Sequence, residues 1–461
     1  MAGKITGDFS KGSVVKTVFK LSLPIMVAEI VHITYNIVDR LYIGRIPEVG
    51  TAALTGVGVA FPLISLITAF GNLFGTGGAP LASIARGEGD NEKAARIQDT
   101  SFTMMIIVGA VVTALMFAFS PVLLGLMGGD EETLPYALDY FRIYVLGTIP
   151  VLLSLGMNPF INGQGFTRVG MGTVLIGAAL NIILDPILIY NAGMGIKGAA
   201  VATVISQTAS TVWAIAFLFG KRPVVPLKRF RVCGEELKST VKLGATGFMF
   251  KATNSVVQAI VNIVLKSWGG AASTLYIGSM TIINSIREIT MCPCNGIVSG
   301  AMPVMSYCYG ARLPERVSKA IKTMMWSTLA VYFVFWALLV FAPQWMFAIF
   351  TDDQELIAVG ARCARVYYLA FPMMTMQLTG QNVFVALNHP KYALFFSLLR
   401  KIILVAPLTL LLPYTGMGVM APFWAETISQ VIGATACFTT MCFKVWRPLM
   451  LGRLYPGKEG S

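Results

Sequence analysis

Long apolar windows, each bounded by a short polar stretch, recur along the whole chain. About twelve of them are long enough for an α-helix to cross a bilayer, which takes roughly 20 residues. The pattern predicts an all-α polytopic membrane protein with about twelve transmembrane helices. The windows lie near residues 16–43, 52–80, 98–127, 135–160, 169–190, 198–219, 240–266, 272–302, 321–350, 357–386, 392–414 and 417–443.

The composition argues against a soluble domain. Hydrophobic residues make up 56% of the 461 positions and charged residues 12%, against about 25% charged residues in soluble domains. Mean hydropathy is +0.71. The seven cysteines lie mostly within the apolar windows and lack the spacing of a metal site, so we interpret them as small core residues.

The net charge of +13 reports on orientation in the membrane rather than on nucleic-acid binding. Basic residues concentrate in alternate loops, such as 221–231 and 312–319, whereas the intervening loops around 130–132 and 352–355 are acidic. Loops rich in Lys and Arg stay on the cytoplasmic side of a membrane. We therefore predict a multi-pass protein of the cell membrane, surrounded by lipid, with both termini in the cytoplasm and no nucleic-acid partner.

The sequence also repeats itself at an offset of 223 residues. The segment 71–93 matches 294–316 at Asn, Gly, Pro, Ser and charged positions, for example Pro80 with Pro303. Agreement at so many special residues indicates a duplicated six-helix unit.

The repeat predicts an N-terminal six-helix lobe over 1–220 and a C-terminal six-helix lobe over 238–461. A basic cytoplasmic linker, 221–237, would join them. Because each lobe has an even number of spans, both have the same orientation. We expect a pseudo-two-fold axis along the membrane normal, with the working cavity between the lobes.

One face of the first span carries polar side chains at helical spacing, although the rest of that window is apolar. They are Glu29, His32, Asn36 and Asp39. The fifth span carries Asn181 and Asp185, four residues apart. At the repeat offset, Asp39 corresponds to Asn262 and Asp185 to Leu408. The fold itself therefore does not require these acids, and their restriction to the first half points to function.

An ionised carboxylate inside a span costs a few kcal/mol or more, so such residues normally serve a purpose. If Asp39 and Asp185 lie at the same depth, they cannot both ionise cheaply and would form a proton site. Structural alternatives stay open: Asp39 could pair with Arg40 or Arg45 at the interface, and Asp185 could cap the turn after the fifth span. Glu29 and His32 could relay protons or could simply pack.

The second half offers candidates for a substrate cavity. They are Lys251, Asn254, Gln258, Met291, Met373 and Gln377. Lys251 could also snorkel to the cytoplasmic interface. Glu426 is a possible buried acid, and we interpret Glu288 as the ion-pair partner of its neighbour Arg287.

The sequence shows no nucleotide-binding, zinc-binding or catalytic-nucleophile motif in a structural context that would support it. We therefore expect neither an enzyme nor a resident cofactor. Uphill transport would then have to draw on a gradient of H⁺ or Na⁺.

In these details the sequence resembles the MATE (multidrug and toxic-compound extrusion) family of secondary transporters, in its DinF/MepA-like bacterial branch. The resemblance covers essentially the whole chain and rests on a combination of motifs. They are "LPIM" and "YNIVDRLYIGR" in the first span, "GGAPLASIARGEGD" after the second, "NPFINGQGFTR" after the fourth, "LNIILDPILI" in the fifth, "GIKGAAVATVISQ" opening the sixth and "GAMPVMSYCYGAR" after the eighth. The resemblance implies an antiporter that alternates between outward-open and inward-open forms.

Matched residue by residue, the resemblance also implies a coupling site in the first half. Its members are Asp39, Asn158, Asn181, Asp185 and Thr203, to which we add Asn36 from its place one turn before Asp39. The helix-bending proline falls on Pro24. Other branches carry acids on the seventh and tenth spans, where this chain has Asn254 and Thr375, which argues against a cation site in the second half.

The leading interpretation is a monomeric antiporter that uses a cation gradient, H⁺ rather than Na⁺, to export amphiphilic and often cationic organic compounds. Na⁺ at Asp39 and Asp185 stays possible. A lipid-linked oligosaccharide flippase is the alternative, but it would need several basic cavity residues, and the sequence suggests only Lys251. A membrane enzyme would have only Glu29, His32 and Asp39 to work with.

Overall fold

The computed structural model describes residues 7–47, 49–128 and 131–454, and the regular structure in these ranges is helical. The α-helices of the first half are α1 (Val14–Gly44), α2 (Gly50–Gly87), α3 (Asn91–Ala118), α4 (Ser120–Leu126), α5 (Leu134–Leu146), α6 (Thr148–Gly163), α7 (Thr167–Pro186) and α8 (Ile196–Leu218). Those of the second half are α9 (Gly234–Trp268), α10 (Ser273–Gly310), α11 (Pro314–Phe341), α12 (Pro343–Ala348), α13 (Gln354–Tyr367), α14 (Met374–Ala386), α15 (Pro390–Leu398), α16 (Ala406–Leu411), α17 (Ala421–Met441) and α18 (Arg447–Met450).

Helices occupy all of the predicted windows. Within the described ranges, seven helices are individually long and apolar enough to cross a bilayer, and the bent pair α5–α6 forms an eighth. The remaining windows coincide with α1, α9, α10 and the pair α13–α14. Hydropathy alone therefore located the helical segments.

The bend between α5 and α6 measures 59°. Gly147 separates the two helices, and Pro150 lies in the first turn of α6. Because proline has no N–H to donate to the carbonyl of Leu146, the helical hydrogen-bond ladder cannot run through this junction.

Two windows contain a wider, π-helical stretch beside buried charges, and a third π-helix, Cys442–Trp446, follows α17. α7 ends at Pro186 and continues as the π-helix Ile187–Asn191, and α15 continues as the π-helix Leu399–Val405. Pro186 cannot donate a backbone hydrogen bond to the preceding turn, which favours the change in winding there. Such segments frequently occur at functional sites. The first adjoins a buried acid, and the second contains two buried bases.

The chain divides into two compact units. One comprises Lys20–Phe248 with the N-terminal residues up to Phe9, and the other comprises Ser10–Phe19 with the chain from Met249 onward. The lobe boundaries inferred from the repeat stay a prediction, since the clustering of contacts follows packing rather than the duplicated sequence.

The predicted linker packs against the first unit. It lacks regular structure until α9 begins at Gly234. The main chain of Val225 exchanges hydrogen bonds with the side chain of Gln164, at 2.9 Å from N to Oε1 and 3.2 Å from Nε2 to O. Arg231 forms an ion pair of 3.3 Å with the buried Asp99 of α3. These contacts hold the segment on the ends of α3 and α6.

Small residues let the helices of the first unit approach closely. Gly71 of α2 lies against the backbone of Leu152, and Gly75 lies against the backbone of Gly156 in α6. A Cβ at position 75 would be 2.7 Å from the Gly156 carbonyl oxygen. Close backbone approach of this kind gives helices in a bilayer the van der Waals contact that the hydrophobic effect does not supply there.

Aromatic side chains fill the core of the second unit. Tyr332, Tyr368 and Phe371 are buried and pair edge to face, with centroids 4.8 Å apart in both the Tyr332–Phe371 and Tyr368–Phe371 pairs. The hydroxyl of Tyr368 donates to the carbonyl of Ile283 at 2.7 Å, so its polar end is satisfied inside the bundle.

The interpretation of the cysteines as core residues holds for five of the seven. Cys292, Cys294, Cys308, Cys363 and Cys437 are buried, whereas Cys233 and Cys442 are partly exposed, and none forms a disulfide.

Replacing Gly75 by Val should destabilise the first unit, because the side chain would overlap the backbone of α6 and force the helices apart. Overpacking typically costs about 1–3 kcal/mol. Gly58→Val on the same helix is the control, since a Cβ there meets no atom within 4 Å. Thermal unfolding of the purified proteins measures the difference. Equal midpoints for the two variants would contradict the close α2–α6 contact.

Candidate functional site

Two carboxyl groups from distant parts of the chain lie side by side in the first unit. Asp39 of α1 and Asp185 of α7 are within hydrogen-bonding reach of one another. Asp185 is fully buried and Asp39 is half-buried. The described N–H and O–H groups donate neither to Oδ1 of Asp39 nor to Oδ2 of Asp185, although both oxygens are buried. Because two adjacent carboxylates cannot both ionise cheaply, the pair needs a proton or a cation.

Asn181 holds one side of this pair. One helical turn before Asp185, its Nδ2 donates to Asp185 Oδ1 at 3.2 Å, and both side chains are buried. The amide oxygen of Asn181 receives no hydrogen bond from the described residues. Asn181 therefore fixes the orientation of the Asp185 carboxyl and leaves an oxygen in reach of a further donor.

A pair of stacked tyrosines, which the sequence did not indicate as candidates, lies near the acids. Tyr140 of α5 is buried and lies close enough to both acids to interact with them electrostatically. Its hydroxyl forms a hydrogen bond with that of Thr203. Tyr144 stacks on Tyr140 with ring centroids 6.2 Å apart. Their spacing of four residues, which places both rings on one face of α5, is the signal that could have identified them.

A polar cavity of about 50 Å³ adjoins the acids. Asn181 lines it and also bonds Asp185, so this residue connects the cavity with the carboxyl pair. Since one water needs roughly 10–15 Å³ on this scale, the cavity has room for a few water molecules. Its other polar lining residues are His32, Tyr35, Ser154, Asn158, Thr173, Thr203, Ser206, Gln207 and Ser210.

Asn158 is part of this lining. Its Nδ2 donates to the carbonyl of Gly170 at 3.3 Å, and its Oδ1 is buried without a donor among the described residues. A Cβ at Gly170 would collide with the side-chain oxygens of Asn158 and Asn162. Glycine at position 170 thus lets α6 and α7 approach closely enough to place Asn158 beside the cavity.

The other polar residues of the first span are placed differently from what the sequence suggested. Asn36 donates its amide to the carbonyl of His32 at 2.6 Å, one turn earlier on α1, rather than to an acid. His32 packs edge to face on Tyr35, with centroids 5.2 Å apart, and lines the cavity. Glu29 is half-buried and is not part of the lining.

Neither structural alternative for the two acids describes the contacts observed. The guanidinium of Arg40 lies over the ring of Phe61 at 5.4 Å, and the ion pairs of the described residues do not include one of Asp39 with Arg40 or Arg45. Asp185 bonds the Asn181 amide inside its own helix instead of capping the turn that follows.

The second unit holds a separate buried cluster of charges. Glu426 of α17 is ion-paired with Arg400 at 2.7 Å and with Lys401 at 3.2 Å. Glu426 is therefore a buried acid, as the sequence suggested, but its basic partners were missed. The signal was the pair "RK" inside the apolar run "SLLRKIILV".

Two expectations for the second half are wrong. Arg287 donates to the hydroxyl of Tyr367 at 3.1 Å, whereas Glu288 is exposed and is not part of the ion pairs found among the described residues. Lys251 was also not the only basic candidate, because Arg287 and Lys401 line a small cavity in this unit.

The remaining candidates of the second half divide into two groups. Asn254 and Gln258 line the small cavity of the second unit. Met291, Met373 and Gln377 line neither that cavity nor the one beside the acid pair. The side chain of Lys251 lies outside what the structure describes.

Comparison with known proteins places the chain in a family. The MatE family model matches residues 24–187 and 251–411, once in each half and together more than half of the chain. The chain belongs to the MatE family. The two matches also reflect the internal repeat.

Relatives and solved structures agree with this assignment. The MatE protein is 25% identical over 432 residues to the multidrug export protein MepA of Staphylococcus aureus, and 23% identical over 428 residues to that of Staphylococcus haemolyticus. These alignments cover 93% and 92% of this chain, and 93% of each relative. A solved outward-facing multidrug resistance MATE family transporter matches with a TM-score of 0.89 at 21% identity, over 97% of this chain and 99% of that one. The likeness confirms the predicted fold class, with twelve transmembrane helices in two six-helix lobes.

The hydroxyl of Tyr190 ties the π-helix after Asp185 to α1, because it donates to the carbonyl of Tyr42 at 2.7 Å. Tyr190→Phe removes this bond and should lower the stability of the first unit by about 1 kcal/mol. Thermal unfolding checks the prediction. The control is Tyr414→Phe, whose ring is 77% exposed. A Tyr190→Phe midpoint no lower than that of the control would argue against this link between α1 and α7.

Proposed function

We propose that this MatE protein is a cation-coupled antiporter that exports amphiphilic, often cationic organic compounds by alternating access. Asp39 and Asp185 carry the coupling ion, which is H⁺ rather than Na⁺. The observation that supports this most directly is the pair of neighbouring carboxyl groups, each with one buried oxygen that lacks an N–H or O–H donor among the described residues. The relatives that are named multidrug export proteins support the class of substrate.

A proton fits this pair with few additional requirements. One proton between Asp39 and Asp185 makes a hydrogen bond between the two carboxyl groups and halves their charge. A sodium ion would need further oxygen ligands, yet the Asn181 group nearest to Asp185 is the N–H donor of its amide. Proton coupling therefore requires only the proton itself, whereas sodium coupling requires the ion and further ligands.

Protonation can change which conformation is favoured. The ionised pair needs water or hydrogen-bond donors, which the polar cavity beside Asn181 can supply. The protonated pair tolerates drier surroundings, so a conformation that closes the cavity becomes favourable. A difference of one pKa unit between two conformations is worth about 1.4 kcal/mol, which changes their ratio tenfold.

The basic residues of the second unit do not favour the flippase. Arg400 and Lys401 are already bound to Glu426. The cavity next to them measures about 20 Å³, which is too small for a pyrophosphate group because it holds little more than one water.

The alternating basic and acidic loops support a cell-membrane protein whose two termini are cytoplasmic. In inside-out vesicles, substrate should therefore enter the lumen as protons leave it. The protein is proposed to work as a monomer, since each of the two charged sites is complete within one chain.

Asp39→Asn and Asp185→Asn should each reduce proton-driven uptake of a fluorescent organic cation into acid-loaded inside-out vesicles to near background, because either change removes one carboxyl of the shared site. Asn181→Ala and Glu29→Gln should have smaller effects. Glu288→Gln, at an exposed acid, is the control and should transport normally.

A Na⁺ gradient at constant pH provides the second arm of this measurement. Uptake driven by Na⁺ alone would overturn the choice of H⁺. Normal uptake by the two aspartate variants at equal membrane abundance would overturn the coupling role of the pair.

Pro24 is proposed as the hinge of α1. The helix is continuous through this residue, whose nitrogen cannot donate to the carbonyl of Lys20. Pro24→Ala should slow transport severalfold and leave the affinity for substrate unchanged, because it restores a bond that must be absent when α1 bends. Pro62→Ala in α2 is the matched control. A wild-type transport rate in Pro24→Ala would contradict the role of Pro24 as a hinge, without bearing on the proposed proton site.

A further inference from the structure

The second unit buries more positive than negative charge around one small cavity. Arg287, Lys401 and Glu426 line it, and Arg400 is bound to Glu426 from the same π-helix as Lys401. The side chains of Arg400, Lys401 and Glu426 are only 4–6% exposed. Three bases therefore surround a single carboxylate.

The single carboxylate does not balance these charges. Oε1 of Glu426 accepts from both Arg400 and Lys401, and Oε2 accepts from Lys401. Arg287 instead donates to Tyr367, whose hydroxyl carries no charge. Arginine does not lose its proton in proteins. With two arginines and one glutamate, the cluster keeps at least one excess positive charge even when Lys401 is neutral.

A buried charge without a counter-charge is strongly unfavourable within a bilayer-spanning bundle. The cavity lining contributes no second carboxylate. It contributes hydrogen-bonding groups from α9 and α10, where Asn284 donates to Gln258 Oε1 at 3.0 Å and Gln258 donates to Asn262 at 3.2 Å. Because the Tyr367 hydroxyl accepts from Arg287, its own proton can be donated to another acceptor.

We propose that this cavity is an anion-binding site for one small monovalent anion, such as chloride. Arg287 supplies the charge that Glu426 leaves unbalanced, and the amides of Asn284 and Asn254 and the hydroxyl of Tyr367 supply hydrogen bonds. The cavity of about 20 Å³ holds roughly one water-sized occupant, so the site selects a compact ion and excludes bulky organic anions. It is distinct from the carboxyl pair and does not depend on the transport reaction.

The test measures the thermal unfolding midpoint of the purified full chain in gluconate buffer while chloride replaces gluconate at constant ionic strength and pH. The midpoint should rise with chloride and then saturate, as for one site that binds only the folded protein. Arg287→Gln should weaken the apparent chloride affinity about tenfold or more, because it removes a charged donor. Arg365→Gln, an exposed base of the same unit, should keep the wild-type affinity.

Glu426→Gln separates binding from a purely structural role of the cluster. Removing the carboxylate increases the positive excess, so chloride should bind this variant more tightly than the wild type, even if its midpoint without chloride is lower. If Arg287→Gln does not fold, Asn284→Ala replaces it in the chloride titration, with a smaller expected loss of chloride affinity. A linear, unsaturated response to chloride, or equal affinity in all variants, would show that the cluster is a structural ion-pair network without an anion site.

Discussion

The burial of charged groups inside a bundle that crosses a bilayer is the constraint on which the rest of this structure depends. Within the hydrocarbon region, polar groups must find partners inside the protein. Asp39 and Asp185 meet this requirement only in part, because Asn181 donates to one oxygen of Asp185, while one buried oxygen of each acid lacks an N–H or O–H donor among the described residues. In the proposed transport cycle, a proton would be added to this pair and removed from it, so the incomplete bonding would serve that function.

The two halves share a fold and differ in the sign of their buried charge. The fifth span of the first half corresponds, at the repeat offset, to the window near 392–414. The former carries Asp185, and the latter carries Arg400 and Lys401. In both, the charged residues lie at a π-helical segment, where the wider winding changes the direction of side chains relative to a regular helix. The duplicated scaffold thus presents an acid in one unit and bases in the other from equivalent helices.

The packing that supports these sites is mostly local to each unit. Gly71 and Gly75 allow close contact of α2 with α6, and Gly170 of α7 allows Asn158 of α6 to reach the cavity wall. In the second unit, the aromatic cluster around Phe371 adjoins Tyr367, whose hydroxyl accepts a hydrogen bond from Arg287. Small residues in one unit and aromatic rings in the other provide close van der Waals contact between helices. Such contact is needed because the hydrophobic effect does not drive helices together within a bilayer.

The sequence by itself determined the fold class, the windows that become helices, the repeat and the presence of unusual acids in the first half. These features follow from hydropathy and residue identity, because a membrane-spanning helix is recognised from the residues of its own segment. Only the tertiary structure decided that Asp39 lies beside Asp185, that Tyr140 lies near both acids, and that Arg287 donates to Tyr367 rather than pairing with the adjacent Glu288. Helical periodicity indicates which face of a helix is polar, but the partner of that face is set by how helices far apart in sequence pack.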